Sequence, residues 1–166
     1  MIFVTVGNAT QGFSRWLEAI DQMAGQGFFG EEMVFIQSGS NHDFRSLHCK
    51  QEPFLSMGKF AEMISIADLV ISHAGAGTLI HVLQAGKVPV VMPRRRKYGE
   101  LVDDHQIELV QALAAEGRVI PAYEPEDLPA AIFEARRCKA QPMPSPPTRM
   151  LTLVSEAIEE LMGEKQ

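Results

Sequence analysis

The chain has 166 residues, of which 46% are hydrophobic and 22% are charged, and its formal net charge is −6. This composition is ordinary for a globular protein, and the length suits one domain with its own core rather than two. The negative charge argues against a general nucleic-acid binder, which would normally be basic. No run of about 18 apolar residues occurs, so the sequence predicts no membrane-spanning helix.

The start of the chain and its cysteines indicate a compartment. A β-branched run at residues 2–6 follows the first methionine directly, with neither a basic region nor a cleavage site, so we expect no signal peptide. Cys49 and Cys138 lie far apart, and a secreted fold would usually carry more cysteines. We therefore expect two free thiols in a reducing cytoplasm. Neither a Cys-x-x-Cys nor a His-Glu-x-x-His spacing occurs, so no metal site is predicted.

Strand-like and helix-like segments alternate along the chain. The predicted strands cover residues 2–6, 33–36, 69–71, 88–92 and 119–120. The polar stretch 38–51 is predicted to be turn or loop. Apolar residues at helical spacing predict five helices, whose inward-facing residues are Phe13, Trp16, Leu17, Ile20 and Met23; Phe60, Met63, Ile64 and Ala67 after an N-cap at Ser56; Leu79, Val82 and Leu83; Ile107, Val110, Leu113 and Ala114 after an N-cap at Asp103 or Asp104; and Leu128, Ile132 and Phe133.

This alternation predicts an α/β fold, a Rossmann-like parallel sheet with helices on both faces. We assign that domain to residues 1–140. Residues 141–147 are rich in proline and predict a stiff linker. Residues 148–166 predict an amphipathic helix, which packs either on its own domain or on a partner; the sequence leaves both interpretations open.

Ligands of open parallel sheets bind beyond the carboxyl ends of the strands, and two glycine-containing loops fall there, at residues 7–12 and 73–78. In the second loop, Gly75 and Gly77 let the backbone approach a ligand closely. A helix follows whose first N–H groups are unpaired and whose dipole is positive at that end, so a phosphate or diphosphate is the expected ligand. Thr78 adds a hydroxyl and His73 an imidazole. The alternative is a tight turn with no ligand, since the loop matches neither a P-loop nor a full Gly-x-Gly-x-x-Gly fingerprint.

A second polar segment, residues 93–106, follows the strand predicted at 88–92. It carries a basic run that steers anionic substrates or contacts phosphate, made up of Arg94, Arg95, Arg96 and Lys97. Gln106 offers both a donor and an acceptor, which suits sugar hydroxyls. The alternative is a solvated loop in which Asp103 or Asp104 is only a helix N-cap.

At these residues the sequence resembles the C-terminal domain of glycosyltransferase family 28, which has the GT-B fold. Residues 72–78, Ser-His-Ala-Gly-Ala-Gly-Thr, resemble its phosphate-binding turn. Residues 4–7 and 93–106 are similar to the single-domain bacterial exopolysaccharide subunits of PssE or EpsE type. The chain also resembles the donor subunit of the dolichol-pathway UDP-GlcNAc transferase and the C-terminal half of MurG. The resemblance covers residues 1–136 and implies the donor-binding half of a GT-B enzyme.

The resemblance implies a UDP-sugar ligand and a set of residues that bind it. The diphosphate would lie at His73, Gly75, Ala76, Gly77 and Thr78. The nucleotide and sugar would lie near Gly7, Asn8, His81, Glu100, Asp104, His105 and Gln106, and the basic run at 94–97 would supply phosphate or acceptor contacts. Two positions depart from the pattern: His81 stands where relatives hold the ribose with a glutamate, and Asn8 where many have threonine.

The resemblance also implies a partner, because a GT-B enzyme works in a cleft between two such domains. A membrane-anchored PssD-type subunit would bind the acceptor, a sugar linked to a polyprenyl diphosphate, and would hold this cytoplasmic chain at the inner membrane face. The reaction would transfer a hexose or N-acetylhexosamine from UDP, with the catalytic base in the partner and with no metal or other cofactor. The competing interpretations are a non-catalytic nucleotide-sugar-binding or scaffold protein of polysaccharide assembly, which the change at His81 favours, and an unrelated phosphate-binding domain.

Overall fold

The computed structural model describes residues 1–138, which form a parallel six-stranded sheet in the order β3-β2-β1-β4-β5-β6. This is the strand order of the Rossmann fold. The strands are β1 (Ile2–Thr5), β2 (Val34–Gln37), β3 (Lys50–Glu52), β4 (Leu69–His73), β5 (Val90–Met92) and β6 (Ile120–Pro121). The predicted parallel sheet is confirmed.

Five α-helices cover the two faces of the sheet: α1 (Ser14–Gly25), α2 (Met57–Ile66), α3 (Ala76–Gln84), α4 (His105–Ala115) and α5 (Leu128–Cys138). Short 3-10 turns lie at Arg96–Tyr98 and Pro125–Asp127. Successive residues of a strand point to opposite faces. Ile2 and Val4 therefore join the core with α1 and α5, whereas Phe3 packs with α2 at a ring-centroid distance of 5.7 Å from Phe60.

The chain reverses its direction of travel across the sheet between β1 and β4. Strand β1 pairs with β2 on one side, Ile2 opposite Val34, and with β4 on the other, Ile2 opposite Leu69. The connections after β1 and β4 leave the sheet on opposite faces, because α1 and α3 belong to different core clusters. Such a switch point opens a crevice beyond the carboxyl ends of the strands, where ligands of this fold bind.

Three details correct the sequence-based expectations. The stretch predicted as loop at 38–51 contains the start of β3, an edge strand whose exposed polar residues gave no alternating apolar signal. Phe133, predicted to face inward, is 65% exposed. The buried residues of α5 are Leu128, Ala131, Ile132 and Ala135, and Phe133 lies about 100° further round the helix than Ile132. His73, predicted in a turn, is the last residue of β4.

The proposed linker at 141–147 and the proposed helix at 148–166 lie outside the described residues. Within residues 1–138, no helix is both long enough and apolar enough to cross a bilayer.

Candidate functional site

Loops that follow β1, β2, β4 and β5 meet at the carboxyl edge of the sheet. Gly7 and Gly39 both have positive φ, +71° and +56°, which glycine adopts without strain. The two residues also pack closely, since a Cβ at Gly39 would overlap the carbonyl oxygen of Gly7. Gln37, at the end of β2, fixes the same loop by donating from Nε2 to Gly7 O at 3.3 Å and to Asn8 Oδ1 at 3.0 Å.

The ring of His73 lies under this edge, between the backbones of Gly7 and Gly75. A Cβ at either glycine would overlap the imidazole. The side chain is only 7% exposed, and the ring lies beside the backbone of Thr5. Burial, aided by the nearby positive charge of Arg94, lowers the pKa of His73 to about 4. The imidazole is therefore neutral near pH 7 and offers one donor and one acceptor but no charge.

A glycine is required at position 75 because the His73 ring fills the space that a side chain there would need. The sequence suggests that Gly75 lets the backbone approach a ligand closely. In the structure the space beside Gly75 is taken by the His73 ring, whereas Gly77 is exposed and a Cβ there would meet no atom within 4 Å. Room for an external group thus exists at Gly77.

Helix α3 presents its N-terminus at the switch point. Gly75 is the N-cap and makes no side-chain cap, and the first intrahelical bond runs from Leu79 N to Gly75 O at 3.0 Å. The amides of Ala76, Gly77 and Thr78 form the first turn, which is partly exposed. These orphan donors and the positive end of the helix dipole together attract an anion. The structure therefore brings the five residues predicted at the diphosphate into one place.

Arg94 is not the surface cation that the sequence suggested. It is 1% exposed, and its guanidinium donates to the carbonyl oxygens of Val6 at 3.0 Å, Gln11 at 2.8 Å, Gly12 at 3.2 Å and Glu100 at 3.3 Å. Burial lowers its pKa to about 10, so it stays charged at neutral pH. With its forked donors turned inward, Arg94 is not placed to meet a phosphate from solvent.

Glu100 is likewise buried, and its carboxylate forms hydrogen bonds with other residues of the chain. Its carboxylate is 4% exposed and accepts from Arg15 Nε at 2.6 Å, from Arg15 Nη2 at 3.0 Å and from the backbone N–H of Arg95 at 2.9 Å. Both oxygens accept hydrogen bonds from other residues of the chain, and a role of Glu100 at the donor stays a prediction.

The remaining cations of the basic run share one carboxylate or stand exposed. Arg95 and Lys97 both pair with Glu124, Lys97 at 2.8 Å. Arg96 is exposed, and its backbone N–H donates to Asp104 Oδ1 at 3.0 Å. Of the four predicted phosphate or acceptor contacts, Arg96 is thus exposed and forms no side-chain ion pair with other residues in 1–138.

Three of the predicted nucleotide- or sugar-binding residues lie at the start of α4. Gln106 Oε1 accepts from the backbone N–H of Arg94 at 2.9 Å, which orients the amide. His105 is exposed, with Nδ1 3.0 Å from Asp103 Oδ2, and Asp104 is the N-cap. His81, the predicted ribose contact, is exposed on α3, with its ring 6.1 Å from that of Phe60.

Sequence reasoning missed the polar residues that support these loops. Thr5 and Gln37 are buried at the carboxyl ends of adjacent strands and hydrogen-bond to each other through their side chains. A polar residue closing an otherwise apolar strand was a signal that could have found both. Arg15 carried no such signal, because its partner Glu100 is distant in sequence. No group of three or more His, Cys, Asp or Glu in the described part of the chain is arranged to hold a metal ion.

Known proteins of similar sequence identify the family of this chain. The glycosyltransferase family 28 C-terminal domain matches residues 1–161, and the chain belongs to this family. The sequence is 36% identical over 91 residues to the UDP-N-acetylglucosamine transferase subunit ALG13 of Yarrowia lipolytica, covering 51% of this chain and 43% of that protein. It is 30% identical over 123 residues to the subunit of the same name from Homo sapiens, covering 71% of this chain and 10% of that one.

A bacterial relative and two solved structures complete the comparison. The UDP-N-acetylglucosamine--N-acetylmuramyl-(pentapeptide) pyrophosphoryl-undecaprenol N-acetylglucosamine transferase of Pseudomonas savastanoi is 33% identical over 90 residues, or 51% of this chain and 24% of that protein. The glycotransferase of kitacinnamycin superposes with a TM-score of 0.63 at 16% identity, over 85% of this chain and 35% of that one. MurG of Acinetobacter baumannii superposes with a TM-score of 0.52 at 21% identity, over 92% and 49%. The chain matches less than half the length of each of these proteins, and the structures share the predicted GT-B glycosyltransferase fold.

Proposed function

We propose that this chain binds the diphosphate of a UDP-sugar at the N-terminus of α3. One observation carries the proposal: an uncapped helix N-terminus opens at the switch point of the sheet, with an exposed glycine in its first turn and a neutral imidazole beneath it. Backbone amides and the helix dipole stabilise the two negative charges of a diphosphate without a metal ion. During transfer they would also stabilise the growing charge on the leaving UDP.

We further propose that the chain is the donor-binding subunit of a two-component glycosyltransferase. It would transfer a hexose or N-acetylhexosamine to a sugar on a polyprenyl diphosphate, in polysaccharide biosynthesis. Relatives named as a transferase subunit and as a pyrophosphoryl-undecaprenol transferase support this assignment. The partner would be a membrane-anchored, acceptor-binding subunit of PssD type that supplies the base and holds the chain at the cytoplasmic membrane face.

His81 favours a second candidate, a nucleotide-sugar-binding protein without turnover. It stands where the resemblance implies a glutamate against the ribose, and its imidazole is exposed beside Phe60. An imidazole presents two ring nitrogens where a carboxylate presents two acceptor oxygens, so the nucleotide would be held differently. Sugar transfer by the reconstituted pair of subunits separates the two candidates.

The test of diphosphate binding is a matched pair of glycine variants. Gly77 is the second residue of α3 and Gly58 the second residue of α2, and a Cβ at either meets no atom within 4 Å. We expect UDP to raise the melting temperature of the parent and of Gly58→Val, and to leave that of Gly77→Val unchanged. An absence of any shift in the parent at millimolar UDP, or an equal shift in Gly77→Val, would refute the assignment.

A further inference from the structure

The guanidinium of Arg94 joins two loops that are far apart in sequence. Three of its carbonyl partners, Val6, Gln11 and Gly12, belong to the loop at residues 6–13 that connects β1 to α1. The fourth partner, Glu100, belongs to the loop at residues 93–104 that contains Arg94 itself. The group also lies 4.7 Å above the ring of Phe13, which closes the same loop.

Each of these loops carries residues assigned above to the donor. The 6–13 loop presents Gly7 and Asn8, and the 93–104 loop leads into Gln106 at the start of α4. The backbone N–H of Arg94 also donates to Gln106 Oε1 at 2.9 Å. One residue therefore fixes the 6–13 loop with its side chain and the amide of Gln106 with its backbone.

We propose that Arg94 is a positioning residue that ties the 6–13 loop to the 93–104 loop, so that Gln106 and the Gly7–Asn8 turn face one UDP-sugar. The proposal rests on the proposed function for its ligand, but the tie between the loops stands on the contacts alone. None of the hydrogen bonds of Arg94 reaches the N-terminus of α3, where the diphosphate is proposed to bind.

Arginine is needed here because of its shape. A buried carbonyl oxygen left without a donor is costly, and a forked, planar guanidinium reaches several carbonyls at once. Nη1 donates to the carbonyls of Gln11, Gly12 and Glu100, and Nη2 donates to that of Val6. A lysine would keep the charge, but its single ammonium on a flexible stem lacks the second donor nitrogen and the planar group above the Phe13 ring. Arg94→Lys is therefore the informative change, since it preserves charge while removing the geometry.

The first test needs no ligand. Hydrogen exchange of the 6–13 segment is measured in the parent, in Arg94→Lys and in a matched control, Arg118→Lys. Arg118 follows α4 towards the opposite edge of the sheet, and its side chain is 11% exposed. We expect exchange in 6–13 to rise about 10-fold in Arg94→Lys and to stay at the parental rate in Arg118→Lys. Unchanged exchange in Arg94→Lys would overturn the proposal.

Phe13→Leu covers the case in which Arg94→Lys does not fold. It removes the ring beneath the guanidinium and leaves the hydrogen-bonding groups in place. If Arg94 joins the two loops, Phe13→Leu should speed hydrogen exchange both in the 6–13 segment and around Gln106. Faster exchange in 6–13 with parental exchange around Gln106 would overturn it.

The second test compares the binding of UDP with that of a UDP-sugar by calorimetry. The sugar is whichever of UDP-glucose, UDP-galactose, UDP-glucuronic acid and UDP-N-acetylglucosamine the parent binds most tightly. We expect Arg94→Lys to bind UDP within about 3-fold of the parent and the UDP-sugar about 10-fold more weakly. An equal loss for both ligands would mean that Arg94 does not position the sugar site. Failure of the parent to bind any of these nucleotides would refute the proposed function instead. The exchange experiment would still test whether Arg94 joins the two loops.

Discussion

The imidazole of His73 occupies the space that a side chain at Gly75 would need. A Cβ built at Gly75 would overlap Nε2 and lie 2.9 Å from both Cδ2 and Cε1. The last residue of β4 is thus packed beneath the N-cap of α3. This contact sets the height of the first turn of the helix above the sheet, and with it the position of the amides that we assign to the diphosphate.

The contact predicts opposite outcomes for two neighbouring glycines. Gly75→Ala should lower the free energy of unfolding by about 1–3 kcal/mol, because the buried ring cannot move away freely. Gly77→Ala should leave it unchanged or raise it by up to about 1 kcal/mol, because alanine favours the helix and meets open space. Urea denaturation measures both. Combining Gly75→Ala with His73→Ala should cost less than the sum of the two single changes, and strict additivity would contradict the contact.

His73 also predicts a pH dependence of stability. Its pKa is about 4 in the folded protein, and the ordinary value in an unfolded chain is about 6.5. Between these values the unfolded state binds a proton that the folded state does not. The contribution of His73 to the free energy of unfolding is therefore fully present above about pH 6.5. It falls by on the order of 3 kcal/mol as the pH falls towards 4.

The measurement is the free energy of unfolding from pH 7.5 to pH 4.5 in three proteins. His73→Asn should give a flatter dependence than the parent, whatever its stability at pH 7.5. His81→Asn, which removes an exposed imidazole from α3, should follow the parent. The attribution to His73 fails if His73→Asn keeps the parental slope.

The pair formed by Arg15 and Glu100 predicts a large and specific loss of stability. Glu100 is 4% exposed, so Arg15→Met would leave a buried carboxylate without its cation, at a cost of about 3–5 kcal/mol. The double variant Arg15→Met, Glu100→Leu should be more stable than Arg15→Met alone. Lys59→Met, which breaks an exposed pair with Glu62, should cost less than about 1 kcal/mol. Chemical denaturation checks all three, and a cost for Arg15→Met as small as that for Lys59→Met would contradict the structural role.

Gln106 predicts a loss confined to the sugar. With Oε1 held by Arg94 N–H, its amide nitrogen is left to donate to a hydroxyl. Gln106→Ala should weaken binding of the UDP-sugar by about 10-fold, roughly the value of one hydrogen bond, and change UDP affinity little. Gln111→Ala, an exposed position on the same helix, is the control and should match the parent for both ligands. Isothermal titration calorimetry distinguishes these cases, and equal weakening of UDP and UDP-sugar would remove Gln106 from the sugar site.

Much of the fold was readable from local pattern. The apolar runs at 2–6 and 69–71 and the helical stripe from Trp16 to Met23 reflect burial, which the residue types report directly. Ser56 was predicted as an N-cap, and its hydroxyl accepts from Lys59 N–H at 3.3 Å. The edge strand β3 escaped notice because strands at an edge bury little, so their residues carry no apolar alternation.

Strand and helix periodicities and glycine turns are local properties of a chain, so residue pattern alone predicted the alternating α/β architecture and the glycine turn at the start of α3. The roles of the charged residues, in contrast, depend on contacts that form only when the chain folds. Arg94 and Glu100 read as solvent-facing groups, yet both are buried and bound to partners such as Val6 O and Arg15, 88 and 85 positions away. Local pattern cannot report such contacts, since the energy that places a charge inside a protein comes from groups that folding alone brings together.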